Sequence, residues 1–236
     1  MRLIPKFLPV FFLSLGSLSC AGLQLSDVFD TQAPLTESTV IDGLKEALRI
    51  GTERTSSSLS ARGGFSDNLL LRIVYPDELA SVTRTLRRIG LDSQVDEFET
   101  NMNRAAEQAA GEAIDVFVSA IGRMSVQDAF GILDGADDAA TTYFQERTSE
   151  ELRIRFAPVV NGVMEDVGVY QAYTSIIDAY NTIPLTTPVS FDLEEHILDG
   201  TLSGLFSVLA DEELRIREDP LARTTALLKR VFGPKS

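Results

Sequence analysis

Between Asp92 and Met124 the residues Val95, Phe98, Met102, Ala105, Ala109, Ala113, Val116, Phe117, Ala120 and Met124 return almost throughout at steps of three or four. Positions so spaced share one face of a helix. A stripe this long must be covered by several other elements, so it commits the chain to a bundle built around a central helix. The alanines near its middle let another backbone approach closely, and Gly111 and Gly122 mark where it can bend or end.

The flanking segments repeat the pattern. Ile41, Leu44, Ala47 and Leu48 predict a helix over 39–52, stopped by the run TSSSLSARGG. Leu69 to Val74, LLLRIV, is apolar and bounded by Asn68 and Pro76, which makes it either the best strand candidate or an extended linker. Leu79, Val82, Leu86 and Ile89 predict a helix over 77–89 ended by Gly90, and Asp92 is the expected cap of the central helix. Ser125 with Asp128 resembles a capping box opening a short helix through Ile132, which ends at Gly135. Asp137 or Asp138 then caps Ala139 to Gln145. Thr148 with Glu151 opens another helix, interrupted or kinked at Pro158 and continued through Tyr180. Pro184 and Pro188 break the chain into a loop. Asp192 with Glu195 begins a helix carrying Ile197, Leu202, Leu205 and Leu209, and a last helix is expected near 221–232. The expected fold is all-α, a multi-helix bundle of about seven or eight helices with at most one short strand-like segment near 69–74. A single domain over 39–233 would hold all of it.

The N-terminus has a different character. Arg2 and Lys6 precede the mostly apolar stretch Leu8 to Leu15, and small residues follow, which is the order of a signal peptide over residues 1–21. Residues 22–38 then read as a tether. Cys20 stands where a bacterial lipoprotein precursor would be cut and lipidated, although Ser17, Leu18 and Ser19 depart from the usual residues before such a cysteine. The competing reading is an ordinary cleavage using Ser19 and Ala21, which leaves an unlipidated protein. Either way the expected location is the periplasm, with outer-membrane anchoring through Cys20 in the first case.

Scarcity excludes much chemistry. One cysteine forbids an intrachain disulfide and a cysteine-rich zinc or iron–sulfur site, and one histidine forbids a three-histidine zinc site within the chain. A formal net charge of −14 disfavours nucleic acid and anionic lipid, whose binding depends on Lys and Arg neutralising phosphates. No cofactor is expected, and the partners left are a protein or another envelope component, with the membrane reached only through lipid on Cys20.

The segments MNRAAE at 102–107, MSVQDAFGILDGADDAATTYF at 124–144, and EEL, IREDP and ALLKRVFG within 212–233 resemble the exported bacterial proteins of the domain of unknown function 4197 family, in order over 40–233. The resemblance implies a mostly helical exported domain and carries no activity with it. Cys20 lies outside it.

Asn103, Arg104 and Glu107 are polar residues in an alanine-rich helix, with Gln127, Asp128, Asp137 and Asp138 as their expected partners. Three readings compete: a network that fixes helix packing, a ligand pocket around Arg104, or a solvated face. If Arg104 faces inward its charge must be paired. LDGADDAATTYF invites a calcium reading but fails the EF-hand pattern, since Gly135 follows Asp134 directly and Gln145 takes the twelfth position. His196 shares a face with Asp192 and reads as a surface or capping residue. Tyr170, Tyr173 and Tyr180 read as core rings with hydroxyls at the boundary, and Arg84, Arg87 and Arg88 as a solvated face. Without a catalytic motif the chain reads as a non-enzymatic binding or structural module; the alternative is an enzyme or small-ligand carrier using the polar cluster around Arg104, Asp128 and Asp138.

Overall fold

The computed structural model describes residues 36–166, 169–182 and 191–232. The leader, Cys20, most of the tether and the loop with Pro184 and Pro188 lie outside the described residues. The described elements are α1 (Glu37–Ser60), a 3-10 turn (Asp77–Leu79), α2 (Ala80–Arg88), α3 (Asp92–Ala110), α4 (Ala113–Arg123), α5 (Val126–Leu133), α6 (Ala139–Asp166), α7 (Val169–Asn181), α8 (Leu193–Glu218) and α9 (Ala226–Phe232). The fold is an all-α bundle.

The long apolar stripe sits where its length demands. Val95, Phe98, Met102, Ala105, Ala109, Ala113, Val116 and Phe117 are buried, and α3 packs on α1, α6 and α8. The stripe is carried by two helices, because the chain leaves the helix at Gly111 and Glu112 and resumes at Ala113. Gly122, the other expected break, stays inside α4. Phe117 meets Phe144 of α6 edge-on at 5.0 Å and Phe206 of α8 at 6.4 Å, so three helices share one aromatic contact. Each fully buried phenylalanine contributes about 1.5–3 kcal/mol.

Several expected boundaries move, each for a tertiary reason. α1 does not stop at residue 52 but continues through the TSSSLS run, because Thr52, Thr55, Ser56 and Leu59 are buried. Two of these hydroxyls find acceptors: Thr52 donates to the Arg49 carbonyl at 3.0 Å, and Ser56 to the Ala110 carbonyl at the end of α3 at 2.7 Å. Leu91, not Asp92, caps α3, and Asp92 becomes its first residue. α6 is continuous where two helices were expected. Thr148 is not a cap there; its hydroxyl donates to the Phe144 carbonyl one turn back at 2.6 Å. Pro158 is carried inside α6 on its exposed side, where water can take the carbonyl that proline's missing N–H leaves open.

The caps show the same division between local and distant causes. The capping box at Ser125 is present, with the Asp128 N–H donating to Ser125 Oγ at 3.1 Å and the Ser125 N–H to Asp128 Oδ2 at 3.0 Å. Asp192 caps α8 by accepting the Glu195 N–H at 3.0 Å. The expected caps of α6 do not form: Asp137 and Asp138 are exposed, and the N–H groups of Ala140 and Thr141 donate instead to the carboxylate of Glu213 on α8, at 2.9 and 2.8 Å. Arg217, one turn further along α8, pairs with Glu213 at 2.8 Å and donates to the Ile132 carbonyl at the end of α5. This single pair of residues joins the end of α5 and the start of α6 to the C-terminal turns of α8.

Leu69 to Val74 forms no strand. It belongs to a connection over 61–76 that crosses α3 and α8, and its backbone is met by side chains instead of a β-ladder: Asn103 takes both groups of Ile73, and the Nε2 hydrogen of His196 donates to the Val74 carbonyl at 2.8 Å. Two glycines one turn apart on α8 make room for it. A Cβ on Gly204 would lie 2.6 Å from the Phe65 ring, and one on Gly200 2.8 Å from the Ile73 side chain. Phe65 and Ile73 are the buried feet of the connection, whereas Leu69 and Leu70 are 80% and 93% exposed.

Candidate functional site

On the face of α3 opposite the apolar stripe, Asp96, Glu99, Thr100, Asn103, Arg104 and Glu107 fall at helical spacing and form a polar stripe. The 61–76 connection is pinned along it at two places, at Glu107 and, one to two turns earlier, at Asn103 and Glu99. At the C-terminal pin Glu107 is buried, and its Oε1 accepts four hydrogen bonds: the N–H groups of Gly63, Phe65 and Ser66 and the Ser66 hydroxyl, at 3.1 to 3.3 Å. Gly63 has φ +89°, a left-handed conformation that glycine adopts without strain, and a Cβ there would run into the Asp67 carboxylate. At the N-terminal pin Asn103 holds Ile73, and Arg72 pairs with Glu99 at 3.5 Å.

Between the pins lies a cleft of about 390 Å³. The connection lines it with Arg62, Gly63, Ser66, Asp67 and Arg72, and α3 with its polar stripe. No aliphatic or aromatic side chain takes part. Asp96 is held at the rim by Arg87, 2.6 Å away, and that hydrogen bond raises the pKa of the Arg87 guanidinium. Tyr75, which donates to the Val95 carbonyl and stacks on Phe98, has its phenol pushed well up, first by burial and then by the Glu99 charge. The side chains of Arg62, Asp67 and Arg104 make no hydrogen bond or ion pair with the described residues.

Of the residues expected to act together, the structure gathers Asn103, Arg104 and Glu107 and leaves the others elsewhere. Gln127 is exposed, Asp128 belongs to the Ser125 capping box and lies 3.8 Å from Arg147, and Asp137 and Asp138 are exposed beside the start of α6. None of these four lines the cleft. The partners of the α3 stripe come from the other direction in sequence, and Arg62, Asp67 and Arg72 were not anticipated. Their signal was faint: charged residues inside a glycine-bearing loop, with nothing to show that it returns to α3.

The remaining candidates have structural settings. His196 is bonded to Val74 and meets Phe191 edge-on at 5.3 Å. Tyr173 stacks on Phe98 at 6.0 Å and donates to the Phe191 carbonyl, Tyr180 is buried, and Tyr170 donates to Asn161 at the surface. Among the described residues no group of His, Cys, Asp and Glu is placed to hold a metal, and no single helix is long and apolar enough to cross a membrane.

The family described as Protein of unknown function (DUF4197) matches residues 34–233, and the chain belongs to it. Neither a curated protein nor a solved structure matches the chain.

Proposed function

We propose that this DUF4197 protein is a non-catalytic binding module of the bacterial envelope, exported by its leader and held there by lipid on Cys20, which takes a small polar ligand in the cleft beside Arg104. The observation that carries the reading is the division of labour in that cleft. Glu99 and Glu107 are committed to holding the connection against α3, while Arg104 and Arg62 face the same space without a partner. Arginines that no longer serve the fold are the groups a ligand would meet. The carboxylate best placed to be a general base, Glu107, has one oxygen occupied by four donors, which favours binding over catalysis.

Thermal unfolding against a panel of small polar compounds tests the binding half. A ligand at a hundredfold above its Kd stabilises by about 2.7 kcal/mol, and each kcal/mol moves the midpoint of a chain this size by about 2–4 °C. Arg104→Ala should unfold at nearly the same temperature as the parent protein yet lose the ligand-induced rise. Turnover of any panel compound, abolished in the folded Arg104→Ala variant, would overturn the reading. Metabolic labelling with a fatty acid tests the anchor: label on the parent protein and none on Cys20→Ser is expected.

A further inference from the structure

We propose that the cleft between α3 and the 61–76 connection seats a zwitterion, a small molecule carrying a carboxylate and an ammonium group, as free amino acids and short peptides do. The proposal rests on reading the cleft as a binding site and adds the chemistry of the occupant.

The argument is a subtraction of committed charges. Arg72 is paired with Glu99, Asp96 with Arg87, and Glu107 with the amides of the connection. What remains uncommitted in the lining is two guanidiniums, Arg62 and Arg104, and one carboxylate, Asp67. A guanidinium presents parallel N–H donors matched to a carboxylate, and it keeps its charge at every physiological pH. An unspent carboxylate in the same space matches an ammonium group. The Asp67 carboxylate lies beside Gly63, whose own N–H is tied to Glu107.

The same lining argues against other classes. A phosphate ester would set its concentrated negative charge beside the uncommitted Asp67 carboxylate and leave that carboxylate unmatched, and like charges disfavour it. A sugar ring or nucleobase would find no aromatic platform, and an apolar ligand no aliphatic wall. A zwitterion matches both signs without adding net charge to the cleft.

Isothermal titration of the full chain in mild detergent tests this with L-alanine, L-alanyl-L-alanine, the same dipeptide N-acetylated or C-amidated, and inorganic phosphate. The expected result is binding of alanine or the free dipeptide, with each blocked dipeptide about tenfold weaker. The two free forms separate an amino-acid site from a peptide site. Arg104→Ala should erase the difference between free and amidated dipeptide, and Asp67→Asn the difference between free and acetylated. Arg62→Ala serves as a second variant if Arg104→Ala fails to fold. Equal affinity for all three dipeptide forms overturns the proposal. Tighter binding of phosphate that depends on Arg104 also overturns it, while leaving the cleft a binding site. No binding of any probe overturns it too, and the compound panel then decides separately whether the cleft binds anything.

Discussion

Asn103 closes both backbone groups of Ile73: its Oδ1 accepts the Ile73 N–H and its Nδ2 donates to the Ile73 carbonyl, each at 2.9 Å. One side chain thus does for the connection what a neighbouring strand would do, and Nδ2 also reaches the Glu99 carbonyl of its own helix at 2.9 Å. Asn103→Ala should leave a buried N–H and carbonyl unpaired and lower stability by about 2–4 kcal/mol, measured by urea unfolding. Hydrogen exchange should rise over 61–76 before it rises in α3, because the variant releases the connection and not the helix.

Gly204 bears on the same attachment from the other side. In most exposed helices Gly→Ala stabilises by about 1 kcal/mol. Here the added methyl would meet the fully buried Phe65 ring, so Gly204→Ala should instead destabilise by about 1–3 kcal/mol. A rise in the unfolding midpoint would show that the ring can move aside.

Glu213 has a role that its own helix does not reveal. Its carboxylate takes the Ala140 and Thr141 N–H groups and the Thr141 hydroxyl, and Arg217 closes the other side. Glu213→Ala should cost about 3–5 kcal/mol, because it strips the start of α6 of its cap and leaves Arg217 largely buried without its carboxylate. Glu213→Gln keeps one acceptor oxygen and should cost less. Equal losses in the two variants would mean that packing, not hydrogen bonding, accounts for the effect.

These cases show where sequence periodicity suffices and where it stops. The apolar stripe of α3 and α4 and the Ser125 and Asp192 caps were legible because each cause lies within a turn of its effect. The cap of α6 was misread because Asp137 and Asp138 obey the local rule, while the acceptor that wins is Glu213 on α8. Likewise LLLRIV satisfies the composition of a strand, but among the described residues no second segment pairs with it, and Asn103 supplies the missing partner. The cleft was half legible. Asn103, Arg104 and Glu107 stood out as polar residues on an alanine-rich helix, yet which acids and arginines would face them depends on the path of the 61–76 connection, which hydrophobic spacing does not encode.

Thr55 is the described residue whose buried side-chain oxygen has no hydrogen-bond partner. Its hydroxyl is removed from water on the buried face of α1 with nothing in return. Thr55→Val replaces that hydroxyl with a methyl of nearly the same shape, so it should be neutral or stabilise by up to about 1–2 kcal/mol in urea unfolding. A clear loss of stability would reveal a partner for the hydroxyl, such as a buried water.

Asp128 gives the chain a pH-dependent element with a defined sign. Hydrogen bonds from the Ser125 hydroxyl and N–H, helped by Arg147, hold its carboxyl below the ordinary value of 3.8. The charged form is therefore favoured by folding, and the stability it contributes is present above that ordinary value and lost as pH falls below it toward the depressed folded value. At pH 7 Asp128→Ala should unfold at lower urea than the parent protein, since α5 loses half of its capping box. The gap between the two proteins should narrow as the pH is brought from 4 toward 2 and the parent carboxylate takes up its proton. Comparing the two proteins at each pH removes the acid sensitivity they share through their many other carboxylates. A gap that stays constant through this range would mean that the aspartate acts at Ser125 through shape and not through its charge.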